Sequence, residues 1–168
     1  RQIANGLAEA VKMALTSDAE LFEIFERGEA FEKIDTVIKR SLLIKKAIVE
    51  YDEKESDLRR ILNFGHTLGH GIEAASEGEL YHGECVALGM IPMCAPDVRA
   101  RLIAVLQSIG LPTQIEGDLE KILKFTAHDK KCDGDFINAV FVDAIGSSTT
   151  KKMPLSSWQQ YIREQIGG

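Results

Sequence analysis

Three of the chain's four histidines, His66, His70 and His82, fall within residues 58–90, LRRILNFGHTLGHGIEAASEGELYHGECVALGM. Imidazoles ligate metals and exchange protons near neutral pH, so their spacing is the first thing to read. Taken as one helix at about 100° per residue, Arg59, Asn63, His66, His70 and Glu73 form a continuous face, opposed by Ile61, Phe64, Leu68, Ile72 and Ala75. The polar face lacks the Lys/Glu scatter of an ordinary solvated helix. After a break at 76–79 a second helix starts at His82, with Gly83, Cys85, Ala87 and Gly89 at alternate positions, small enough to lie tight against the first. Two imidazoles four residues apart and a third from a neighbouring helix make a metal constellation, which a carboxylate often completes. Surface histidines share that spacing, and HExxH is absent, so this is not a zincin helix.

Helices must position these groups. Asn5-Gly6 caps a first helix with the apolar stripe Leu7, Ala10, Val11, Ala14 and Leu15. Glu9 and Lys12 lie three apart on its edge, a spacing that alone gives an ion pair worth about 0.2–0.5 kcal/mol. Ser17-Asp18-Ala19-Glu20 is a capping box for a second helix, which Gly28 ends and which contributes Leu21, Phe22 and Phe25 to the core. A third helix over 31–51 puts Ile34, Ile38, Ser41, Lys45, Ile48 and Val49 on one side. Lys45 in that apolar face must snorkel out or meet an anion.

A charged run at 52–57 leads into the histidine stretch, and Pro92 and Pro96 break the helix that follows it. Helices over 98–109, closed by Gly110, and from Asp118 to 125 come next. Beyond HDKK at 128–131 the period changes: 136–142 is rich in β-branched and aromatic residues, 146–148 turns, and 149–153 returns as a partner strand. Ser156 with Gln159 caps a last helix through Ile166. The fold class is mainly α, an irregular multi-helix domain of around eight helices with one small β-hairpin.

At 168 residues the chain fits one domain with a single core. Its net charge of −6 argues against a general nucleic-acid binder, which needs a basic footprint. Three widely spaced cysteines, Cys85, Cys94 and Cys132, form neither a disulfide framework nor a zinc knuckle, and point to a reducing cytoplasm. No apolar run is long enough to span a membrane, and the start of the chain lacks the pattern of a signal peptide.

NFGHTLGH at 63–70, with Leu58-Arg59 before it and HGE at 82–84 after it, resembles the 3-dehydroquinate synthase family. The likeness extends to NGLAEAVK at 5–12, DEKES at 52–56, SIGLP at 108–112 and HDKK at 128–131, in the same order. The resemblance implies the C-terminal metal- and substrate-binding domain of that enzyme. A glycine-rich NAD-binding domain precedes this point in the family, and no such loop occurs in this sequence. The implied metal ligands are Glu9, His66 and His82, holding Zn2+ or Co2+. Lys12, Lys45, Arg59, Asn63, His70 and Lys130 are the implied substrate contacts, with His70, Lys12 and Asn63 also catalytic.

The implied substrate is a seven-carbon phosphorylated keto-acid sugar. NAD takes hydride from a ring hydroxyl, phosphate leaves, hydride returns, and the opened ring recloses as a carbocycle. The complete enzyme is expected to be cytoplasmic and a homodimer, with this chain alone inactive. Other sugar-phosphate cyclases, metal-dependent polyol or alcohol dehydrogenases, and a non-catalytic metal-binding helical domain are the competing readings.

Overall fold

In the computed structural model, residues 1–51, 58–127 and 135–166 are described. The charged run 52–57, the HDKK motif with Lys130, and Cys132 lie outside them. The elements run α1 (Gln2–Ser17), α2 (Ala19–Glu26), α3 (Ile34–Tyr51), α4 (His66–Ala75), α5 (His82–Met90), α6 (Pro96–Ser108), α7 (Leu119–Thr126), β1 (Phe136–Ala144), β2 (Ser147–Pro154) and α8 (Leu155–Ile166). Short 3-10 turns occupy Leu58–Asn63 and Ile91–Met93. This is the helical domain with a single antiparallel hairpin that the sequence predicts. No helix among the described residues is long and apolar enough to cross a membrane.

The centre of the molecule is α5, in which every residue from Gly83 to Met90 is buried. It packs on α4 and α1, and α4 packs in turn on α7. Small residues make this possible. A Cβ on Gly89 would land on the Gly65 carbonyl oxygen, and one on Gly65 would come 2.6 Å from Met90 Cγ. Such distances exclude any side chain without backbone movement, so the alternate small positions of the sequence bring α5 into backbone contact with the α4 entry. Leu7, Val11, Ala14 and Leu15 of α1 join the same core, with Phe22, Phe25, Phe64 and Trp158. The hairpin is tied to the centre through Cys94 and Val142, with Ala95 N–H donating to the Val142 carbonyl at 3.0 Å.

The structure departs from the sequence-based expectations at several elements. The polar face from Arg59 to Glu73 is not continuous, because Gly65 adopts a left-handed conformation (φ 74°) that ends the 3-10 turn and starts α4 afresh at His66. Arg59 and Asn63 therefore do not share His66's helix face, whereas His66, His70 and Glu73 do. Helix α1 starts at Gln2, so Asn5 lies inside it and is not its cap. Asp18 rather than Ser17 caps α2, accepting from Leu21 N–H at 3.0 Å, while Gly28 (φ 72°) follows its end as expected. At the C-terminus, α8 starts directly after β2, and Gln159 Nε2 donates to the Leu123 carbonyl at 2.9 Å instead of closing a capping box.

The third helix also differs. It starts at Ile34, and only Val37 and Ile48 are buried along it. Its apolar face looks into an open groove against α1, lined by Ile3, Glu9, Met13, Ile38, Leu42 and Lys45 among others. Ile3, Ile38 and Leu42 are 64%, 49% and 61% exposed. Lys45 is therefore an exposed groove residue and not a lysine stranded in packed apolar surface.

Candidate metal and substrate site

Glu9 comes from the middle of α1, His66 from the first residue of α4 and His82 from the first residue of α5. Backbone packing of α5 on α4 brings the three imidazoles into a triangle, with ring centroids 5.5 Å apart for His66 and His70, 5.4 Å for His66 and His82, and 5.9 Å for His70 and His82. Ligating atoms of Glu9, His66 and His82 all lie within 4.8 Å of one another.

Two contacts hold α1 against the start of α5. Asn5 Oδ1 accepts from Gly83 N–H at 2.6 Å, and the Arg1 guanidinium grips Glu84 through two 2.8 Å hydrogen bonds. Glu84 Oε2 in turn accepts from Tyr81 N–H at 2.8 Å, satisfying a free amide at the helix start. These contacts fix the approach of Glu9's helix to His82.

The two carboxylate oxygens of Glu9 do different work. Oε2 accepts from Lys12 Nζ at 2.7 Å, and Lys12 is almost fully buried. Oε1 is shut off from solvent and accepts no hydrogen bond among the described residues, although the side chain as a whole is only half-buried. It lies 3.5 Å from His66 Nε2. Burial pushes the Glu9 carboxyl up, but the Lys12 ammonium, by charge and hydrogen bond, and then His66 and His82 outweigh it, so the group sits below its ordinary value. A buried anionic oxygen without a donor is costly unless a cation meets it.

Both candidate imidazole ligands have their Nδ1 engaged. His66 Nδ1 is 3.1 Å from the Phe64 carbonyl oxygen, an acceptor that requires a proton on Nδ1. His82 Nδ1 is 3.0 Å from Glu73 Oε2. With the proton on Nδ1, the lone pair of each ring sits on Nε2, the arrangement in which ligating histidines are found. His70, Glu73 and His82 also form a group with ligand atoms within 4.8 Å, so His82 stands at the junction of two possible clusters.

A sequence profile described as 3-dehydroquinate synthase C-terminal matches residues 6–132. The chain belongs to the 3-dehydroquinate synthase family. It is 37% identical over 97% of its length to a 3-dehydroquinate synthase of Latilactobacillus sakei, covering 49% of that protein. To that of Acetivibrio thermocellus it is 40% identical over 83% of its length, covering 43% of that protein. The chain thus spans about half the length of these 3-dehydroquinate synthases.

Among solved structures, the fold matches 2-epi-5-epi-valiolone synthase of Streptomyces hygroscopicus, solved with NAD+ and Zn2+ bound, with a TM-score of 0.80, 23% identity, and coverage of 98% of this chain and 51% of that one. It also matches 2-deoxy-scyllo-inosose synthase complexed with carbaglucose-6-phosphate, NAD+ and Co2+, with a TM-score of 0.79, 24% identity, and coverage of 98% and 51%.

In this member of the family, Glu9, Lys12, His66, His70 and His82 are brought together, and Lys45 shares the α1–α3 groove with Glu9. Asn63 lies at the end of the 3-10 turn beside a small pocket lined by Thr67, Met93 and Trp158, and Arg59 lies at the start of the same turn. Glu73 and Asn5 went unrecognised in the sequence. Glu73's place on the His66–His70 face was a visible signal, but its partner depends on how α5 docks. Asn5 has the residue type of a cap, and its contact with Gly83 exists only once α1 and α5 dock.

Proposed function

We propose that this chain is the metal- and substrate-binding part of a 3-dehydroquinate synthase of the shikimate pathway, converting 3-deoxy-D-arabino-heptulosonate 7-phosphate to 3-dehydroquinate with release of phosphate. The observation that carries this reading is that ligating atoms of Glu9, His66 and His82 lie within 4.8 Å of one another, with Glu9 Oε1 buried and accepting no hydrogen bond among the described residues. One carboxylate and two imidazoles suit a divalent ion such as Zn2+ or Co2+ and leave positions for substrate oxygens. Bound there, such an ion supplies Lewis acidity, easing loss of an alcohol proton and polarising a carbonyl.

The chain's own groups do the rest. Lys12 keeps Glu9 ionised and is placed beside it for a substrate-binding and catalytic part. His70, near both other imidazoles, suits proton uptake and return. Arg59 offers a planar fork for phosphate, Lys45 and Lys130 offer point charges, and Asn63 offers a hydrogen bond to a hydroxyl.

An NAD-binding half preceding this one completes the proposed enzyme, which we place in the cytoplasm as a homodimer. The half-length match to relatives supports a second half, as does the exposed apolar groove of Ile3, Ile38 and Leu42 beside Glu9 and Lys45. The NAD+ and Zn2+ or Co2+ bound in the structural neighbours support the cofactors. The same neighbours support a second reading, a cyclase for another sugar phosphate. The 37% and 40% identities to dehydroquinate synthases, against 23% and 24% to the other cyclases, favour the first.

Product analysis of the complete protein, with NAD+ and Zn2+, tests the reading. Phosphate release from the heptulosonate phosphate with formation of 3-dehydroquinate is expected. Inertness toward that substrate, with turnover of a different sugar phosphate, would replace it with the second reading.

A further inference from the structure

The contact between Glu73 and His82 is an unassigned feature beside the site. Glu73 sits on α4 one turn beyond His70, and its Oε2 lies 3.0 Å from Nδ1 of His82, the first residue of α5. Both side chains are about half exposed, 42% for Glu73 and 44% for His82. A polar contact that open to solvent contributes little to stability, so holding α4 to α5 is a poor account of it. The α4–α5 contact is already secured by the backbone approach at Gly65, Gly69 and Gly89.

We propose that Glu73 is a positioning residue for the metal site, which fixes the ring orientation and tautomer of His82. This rests on the reading of His82 as a metal ligand. An ionised carboxylate only accepts hydrogen bonds, so contact at 3.0 Å places the imidazole proton on Nδ1 and leaves the lone pair on Nε2. The negative charge also makes the ring a stronger donor to a cation. Phe64 performs the neutral version for His66, with a carbonyl 3.1 Å from Nδ1. Both begin a helix, but His66 is held by a carbonyl two residues back in its own chain, whereas His82 is met by a side chain from the neighbouring helix. In this role Glu73 is not itself a ligand, and the alternative grouping of His70, Glu73 and His82 is not the metal centre.

The test uses wild type, Glu73→Gln, Glu73→Ala and His82→Ala, with two readouts. In metal-free protein, histidine 15N spectra give the His82 tautomer. In titrations with Zn2+ against a competing chelator, they give affinity for the metal alone. Wild type is expected to hold His82 as the Nδ1–H form. Glu73→Ala is expected to move it toward Nε2–H and weaken Zn2+ binding about 10–100-fold. Glu73→Gln, which keeps an acceptor oxygen without the charge, should retain the tautomer with a smaller loss of affinity. It also carries the test if Glu73→Ala fails to fold.

Wild-type affinity and tautomer in both Glu73 variants, alongside lost binding in His82→Ala, would overturn the positioning role and leave the metal site standing. Equal binding in wild type and His82→Ala would overturn the metal-site reading and this inference with it.

Discussion

Lys12 Nζ lies 2.7 Å from Glu9 Oε2, one helical turn away, while Glu9's other oxygen points at His66 Nε2 from 3.5 Å. The spacing of these residues in sequence fits a trivial surface pair, but Lys12 is almost fully buried, and this changes its meaning. A buried ammonium tolerates its position only with a counter-charge, so Glu9 is held ionised and oriented by a partner that is itself locked in the core. Lys12→Met keeps the side-chain volume and removes the ammonium that pairs with Glu9 Oε2. A loss of about 1–3 kcal/mol by urea titration is expected, below the cost of breaking a fully buried pair because Glu9 is partly open to solvent.

Gly89→Ala should be among the most damaging single changes to the fold. The added carbon meets the Gly65 carbonyl oxygen, which belongs to backbone and cannot rotate away. Overpacking of this kind typically costs about 1–3 kcal/mol, and rigid backbone puts the expected value at or above the upper end. Equilibrium unfolding measures it. A loss under about 0.5 kcal/mol would mean that α4 and α5 do not meet as described.

Much of this core was legible in the sequence. The alternation Gly83, Cys85, Ala87, Gly89 announced close helix packing, and of the opposite face of the histidine stretch Ile61, Phe64, Leu68 and Ile72 are buried and Ala75 is half-buried, although a 3-10 turn and a separate helix divide the stretch. The hairpin followed from the shift to β-branched residues at 136–142. The break at Gly65 was not legible, since a glycine within an apolar–polar period of 3.6 is compatible with an unbroken helix, and nothing in the local pattern marks the left-handed φ of 74°. The exposure of α3's apolar face was likewise hidden, because hydrophobic periodicity marks a face that seeks a partner and not whether one is present. Of the site, the histidines and Glu9 stood out by residue type and family resemblance, whereas the Glu73 and Asn5 contacts exist only after the helices dock.

Asn5→Ala should loosen both fold and site. It leaves Gly83 N–H, at the buried start of α5, without its 2.6 Å acceptor. An orphaned amide of this kind costs about 1–3 kcal/mol. Because His82 adjoins Gly83 and Glu9 lies on Asn5's helix, Zn2+ affinity should fall in the same variant. Calorimetric unfolding and chelator competition read the two effects separately.

Stability should decline in acid partly through Glu26. Its hydrogen bonds to Arg101, at 2.7 Å on both oxygens, outweigh the effect of burial and hold the carboxyl below its ordinary value. A depressed carboxyl contributes stability that is present above the unfolded-state value and is lost as pH falls through the folded one. Glu26→Gln should therefore flatten a small part of the acid limb, no more than about 1 kcal/mol because Arg101 is half exposed, and leave stability above the carboxylate range lower than wild type. Urea midpoints between neutral and acidic pH test both signs.

The groove residues should behave differently from the core. Ile38→Ser and Leu42→Ser are expected to change this chain's own stability by less than about 0.5 kcal/mol, since both side chains are about half exposed or more. In the complete protein the same pair should lower activity or NAD+ affinity if the groove is covered by the second half. Unchanged behaviour there would leave the groove without that role.

The most direct test of the central claim is the metal content of the purified protein after loading with Zn2+ and dialysis, compared with Glu9→Gln, His66→Ala and His82→Ala. Wild type should retain about one ion per chain, and each variant should lose it or bind it far more weakly while keeping its helical circular dichroism. Equal zinc in wild type and in folded His66→Ala and His82→Ala proteins would contradict the account.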